Sequence, residues 1–149
     1  MRALLVVNVL IALLDAGHLH HSAAMQWFRK HGHSGWASTA ITQNGCVRVM
    51  CHPGYLNPFP AHQVVERLRL ATRQSEHAFW ACDLTLLDDQ LIDVSRIHGP
   101  RQLTDTYLLA LAVHHGGCLV TFDQAIDAST VSGANRSHLI VLQSSGPTT

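Results

Sequence analysis

Two acidic residues placed against apolar runs, Asp105 and Asp123, define the chemistry open to this chain. Asp123 directly follows the apolar run at residues 119–122, and open α/β sheets bind ligands beyond the carboxyl ends of their strands. Asp105 shares a helical stripe with Leu108, Leu109 and Ala112, at spacings of three, four and seven. An acid on an apolar stripe points to the core or to a cleft, where an unpaired charge is costly. Carboxylates brought together in this way suit phosphodiester hydrolysis, because they hold hard divalent cations that activate water and offset charge on the developing oxyanion. Without a cation such a cluster repels itself. Val6 stands on the first apolar run where the equivalent acid is expected, and supplies no donor. Gln43 shares a face with Cys46, Val47 and Met50 and is expected to point inward.

Each residue also has a plainer reading. Asp105 could be a first-turn acid favoured by the helix dipole, with Thr104 as the cap. Gln43 could be a buried amide satisfying backbone groups. His18, His20 and His21 lie close together and His114 with His115 end a helix, a pattern open to a transition-metal site. No paired Cys or Glu completes such a site, so surface and helix-end histidines are the favoured reading.

The elements that must position these residues alternate between strand and helix. Residues 3–7 read as a buried strand that runs into a helix through residue 14, and Leu19, Ala23 and Trp27, with Ala24 and Phe28 alongside, form the stripe of a second helix. A short strand is expected at 35–37, then a helix at 40–51 carrying Gln43. A Pro- and Gly-rich loop at 52–60 and a helix at 61–73 come next. Residues 78–98 show no clear period; FWACDLTLL has partial strand character, and Asp88, Asp89 and Asp93 are expected at the surface. The clearest helix runs from Thr104 to residue 115 and is closed by Gly116 and Gly117, ahead of strands at 119–122 and 138–142. This order implies an α/β fold with a mostly parallel sheet and helices on both faces. Residues 1–142 are expected to form a single domain, and 143–149 a polar tail.

Bulk properties narrow the class without choosing a function. A chain of 149 residues is the size of one ordinary domain. Its 47% hydrophobic and 13% charged content is apolar for a monomer and fits a surface partly covered by a partner. Net charge is zero, so RNA contact would need a local patch, such as Arg67, Arg69 and Arg73 or Arg29 and Lys30; each reads first as a solvated helix face. Cys46, Cys51, Cys82 and Cys118 show neither zinc-ribbon nor disulfide spacing, which suits free thiols in a reducing cytoplasm. The apolar N-terminus is interrupted by Asn8 and Asp15 and is too short to span a bilayer, so no membrane association is expected.

The ordered set LLVVNVLIALL, GWAS, ITQNG, HAFW, GPRQLTDTYLLALAVHHGG and VTFD, with a histidine-rich first helix and a Pro-rich loop, covers nearly the whole chain. It resembles the PIN-domain ribonucleases of the VapC toxin type. The resemblance implies a PIN-like three-layer domain and Mg²⁺- or Mn²⁺-dependent endoribonuclease activity. It also implies restraint by a VapB-type antitoxin, and a homodimer is expected. By analogy Asp105 and Asp123 match metal-binding acids, Val6 occupies the place of the first Asp and Gln43 that of a Glu, while Asn8 and Thr121 match supporting polar positions. Gln43 keeps a carbonyl and Val6 keeps nothing, so activity is expected to be attenuated. A single base substitution converts Asp to Val, and a toxin expressed without its antitoxin selects for such escapes. The alternative is an inactive PIN-like module that binds antitoxin or RNA without cutting.

Overall fold

The computed structural model describes residues 1–144, which form a five-stranded, all-parallel sheet flanked by helices. The strands are β1 (Ala3–Leu5), β2 (Trp36–Ser38), β3 (His77–Phe79), β4 (Cys118–Thr121) and β5 (Leu139–Val141), in the order β3-β2-β1-β4-β5. The helices are α1 (Val7–Leu14), α2 (His21–His31), α3 (Ala40–Met50), α4 (Ala61–Thr72) and α5 (Arg101–His114). Helix α1 packs between α2 and α3, and α3 packs on α4, whereas α5 packs on β4 and β1. Short strands suffice because the three central ones are buried along their length: Ala3, Leu4 and Leu5 sit between Trp36–Ala37 and Cys118–Val120.

The central strand β1 is bordered by both crossover directions, since the chain moves outward to β2 and β3 and then returns past β1 to β4. Ligands in such sheets bind at the carboxyl ends beside that reversal. Residues 6, 39 and 122 leave β1, β2 and β4 at that end.

Three local expectations change. Helix α5 starts at Arg101, with Pro100 as its N-cap residue and no side-chain cap. Thr104 is exposed inside the helix, so it does not cap, and Asp105 lies in the second turn, where the dipole favours an acid less. Leu19 precedes α2 and is 84% exposed, while Ala24, expected alongside the stripe, is the residue that the helix buries fully. Regular pairing in FWACDLTLL stops at Phe79, because β3 is as short as the β2 strand that it borders. The next residues are held by scattered tertiary bonds, among them Tyr107 Oη donating to the Leu84 carbonyl at 2.9 Å. Asp89 and Asp93 are exposed, and Asp88 is half-buried in a turn. No helix among the described residues is long and apolar enough to cross a membrane. Of the tail expected at 143–149, residues 145–149 lie outside the described residues.

Candidate active site

The loop after β4 and the start of α1 build one wall of the site. Thr121, fully buried, accepts the Asp123 backbone N–H on Oγ1 at 2.9 Å, and Asp123 Oδ1 accepts from the Ala125 N–H at 2.8 Å. Asn8, in the first turn of α1, accepts the Phe122 N–H on Oδ1 at 3.3 Å. Both residues expected to support the cleft therefore bond to the segment that carries Asp123. Phe122 is further covered by the His20 ring, with centroids 4.8 Å apart.

Asp105 comes from the other layer. Burial raises its carboxyl pKa, and the charge of Asp123 adds to the effect, to about 6. The two acids expected from sequence are thus brought together electrostatically, across the sheet end, from α5 and from the turn after β4.

Val6 joins this region as a gap in the polar lining. It is the N-cap residue of α1, only 2% exposed, and its side chain caps nothing. Its backbone N–H donates to the Val120 carbonyl at 3.1 Å, which fixes it against the strand leading to Thr121. A buried N-cap with no polar side chain is uncommon, because the first helical N–H groups need partners and Asp is among the preferred caps.

Gln43 behaves differently. It follows a capping box in which Thr39 and Thr42 exchange hydrogen bonds at 2.9 and 3.2 Å, so the start of α3 is firmly placed. Its Nε2 donates to Ser38 Oγ at 2.9 Å, and Ser38 Oγ lies 2.8 Å from His77 Nε2. Ser38 Oγ already accepts from Gln43, so its own proton is free to go to Nε2 of a neutral His77 ring. Burial lowers the His77 pKa in keeping with a neutral ring. The amide is therefore engaged on the β2–β3 side. It borders a groove of about 300 Å³ lined by Val47, Val65, Leu68, Arg69 and Thr72. None of its hydrogen bonds reaches the acid pair.

Ser38 and His77 were not singled out from sequence. Ser38 at the end of β2 was a weak signal; His77 was none, since it reaches Ser38 only through the β2–β3 register. The His18, His20 and His21 group makes local contacts instead. His18 Nδ1 accepts the His20 N–H at 3.0 Å, and His21 Nδ1 bonds to the Ala12 carbonyl at 2.7 Å.

The donor set can be weighed against a cation. Two mutually repelling, partly buried carboxylates are relieved by a divalent ion, and the bare cap at Val6 is where a further acid would fit. The acids present suit one hard ion that retains water ligands; a pair of ions needs several acids at close range.

Comparison with known proteins agrees with this geometry. Residues 3–129 match the PIN domain family. The chain is 51% identical over 142 residues to Ribonuclease VapC44 of Mycobacterium tuberculosis, covering 95% of this chain and all of that protein. It is 39% identical over 134 residues to Ribonuclease VapC39 of the same organism, covering 89% of this chain and 96% of that one. The fold is similar to the crystal structure of Mycobacterium tuberculosis VapC20, described as a sarcin-ricin loop cleaving toxin, with a TM-score of 0.62 and 13% identity over 87% of this chain and 95% of that chain. With the PIN match spanning most of its length and VapC relatives aligned nearly end to end, the chain belongs to the PIN-domain family and, within it, to the VapC ribonucleases.

Proposed function

We propose that this chain is an endoribonuclease toxin of a VapBC-type toxin–antitoxin pair, built for metal-dependent hydrolysis of RNA and attenuated at two positions. The observation that carries this reading is the Asp105–Asp123 pair at the carboxyl end of a PIN sheet, with Asp105 raised to about pKa 6. A bound Mg²⁺ or Mn²⁺ would supply an activated water and positive charge against the phosphate. Asp105 and Asp123 hold the ion, while Thr121 and Asn8 fix the turn that presents Asp123. Val6 leaves one ligand position empty of donors, and Gln43 contributes no charge and is drawn toward Ser38. The apolar composition that fits a VapB-type antitoxin also suits a homodimer, and the toxin would act in the cytoplasm.

Metal binding offers a test without turnover. Mn²⁺ titration followed by electron paramagnetic resonance should show one site at neutral pH, weakened at least about tenfold by Asp105→Asn or Asp123→Asn. Equal binding by wild type and both variants contradicts the assignment.

A second reading rests on Val6 and on the turned amide of Gln43: a PIN module that binds antitoxin or RNA without cutting. It requires that RNA remain intact even when residue 6 carries an acid.

A further inference from the structure

We propose that Asp83, His114 and His115 form a second metal site, for a late first-row divalent cation such as Zn²⁺, at the far end of α5 from the acid pair. The carboxylate that the sequence reading found wanting comes from the segment after β3. Asp83 Oδ2 lies 3.6 Å from His114 Nε2 and Asp83 Oδ1 3.9 Å from His115 Nε2. One ligand atom from each of the three residues fits within 4.8 Å of the others. Ligand atoms around one tetrahedral zinc lie about 3.3 Å apart, given bonds of about 2.0–2.1 Å. Exposed side chains can close that remaining distance by small rotations.

Neighbouring residues of a helix point about 100° apart, and the Asp83 carboxylate bridges that angle with a different oxygen facing each imidazole. His115 is the C-cap residue, and Gly116 turns the chain after it at φ +69°. Its ring is held by stacking on Trp80, at 4.5 Å between centroids and 8° between planes. Trp80 is itself buried and lies three residues before Asp83, so one anchor sets both the imidazole plane and the start of the carboxylate's segment. The two imidazole rings stand nearly perpendicular, 5.1 Å apart.

Two imidazoles and one carboxylate select zinc, nickel, copper or cobalt rather than Mg²⁺, and three protein ligands leave a coordination position open to solvent or a partner. Nine residues of helix, about 13 Å of rise, separate His114 from Asp105, so the two sites take different ions independently. A bound ion ties the segment after β3 to the end of α5.

The test is Co²⁺ and Zn²⁺ titration of the full chain in excess Mg²⁺. One equivalent of Co²⁺ should give visible d–d absorption without a thiolate charge-transfer band, and should quench part of the tryptophan fluorescence in wild type but not in Trp80→Phe. Loss of an outer-sphere partner alone weakens metal sites 10–100-fold, so Asp83→Asn should cost at least about tenfold in affinity. The double variant His114→Gln/His115→Gln should lose this equivalent while keeping its far-ultraviolet circular dichroism, because both side chains lie at the surface of the helix end, 46% and 25% exposed. Zn²⁺ at a hundredfold excess over its Kd should raise Tm by about 5 °C or more in wild type only. Unchanged binding in the double variant, a thiolate band from Cys82, or no saturation below the order of 1 mM would each overturn the proposal.

Discussion

Val6 holds two opposing tendencies at one position. An Asp there would cap the bare first turn of α1, a gain of about 0.5–2 kcal/mol, but would place a carboxylate at a site only 2% exposed. Burial of an unpaired charge is the larger effect. Val6→Asp should therefore lower Tm in EDTA and recover it on addition of Mg²⁺ or Mn²⁺, as differential scanning calorimetry can show; a variant indifferent to metal contradicts the site. Asp105 gives a pH signature. Its folded pKa of about 6 lies above the ordinary 3.8, so the stability of its protonated form is complete below about pH 4 and is lost as pH rises through 6. Asp105→Asn, neutral throughout, should unfold at higher temperature than wild type at pH 7 in EDTA, by on the order of 1 kcal/mol after solvent screening, and the two should converge toward pH 4. Gln43→Glu should raise the His77 pKa, read by NMR titration. A carboxylate at position 43 accepts a hydrogen bond from the Ser38 hydroxyl, and Ser38 Oγ then accepts one from a protonated Nε2.

At the scale of elements, the contact between α1 and α3 sets how closely the empty position 6 and the start of α3 approach. A Cβ at Gly45 would meet Val7 Cγ2 at 2.6 Å. Gly45→Ala gains helix propensity of about 1 kcal/mol but overpacks a β-branched neighbour with little rotamer freedom, a cost of about 1–3 kcal/mol. The expected net result is a lower denaturation midpoint, relieved in the Gly45→Ala/Val7→Ala double variant; equal midpoints for wild type and Gly45→Ala would show that the helices yield without cost. The helices were legible where their periodicity was strong. The apolar stripe of Leu108, Leu109 and Ala112 located α5 and turned Asp105 inward, but the helix began three residues earlier than Thr104 because Pro100 starts it without a polar cap. Residues 80–98 carried no period to read, since they are held from outside: the Asp93 N–H bonds to the Thr130 carbonyl and the Ser132 N–H to the Leu91 carbonyl.

At the scale of the molecule, the sheet order brings the residues that follow β1, β2 and β4 to one end of the sheet, with Gln43 engaged there on the β3 side. Parallel pairing of β1 with both β2 and β4 lines up the residues that follow each strand, and α5 brings Asp105 from the other layer. Acids were readable because each stands out against an apolar run. The Ser38–His77 partnership and the Asp83–His114–His115 group were not, because strand register and a helix end join residues that are distant in sequence. The same architecture makes residue 6 the most consequential single position: it directly follows the central strand, is the uncapped N-cap residue of α1 and is bonded to β4. RNA cleavage by the purified chain and its Val6→Asp variant, each in Mg²⁺, Mn²⁺ and EDTA, tests this most directly. The account predicts weak or absent cleavage by the wild type and strong, EDTA-sensitive cleavage by the variant. Intact RNA with Val6→Asp in every metal, from a variant shown to be folded, would contradict it.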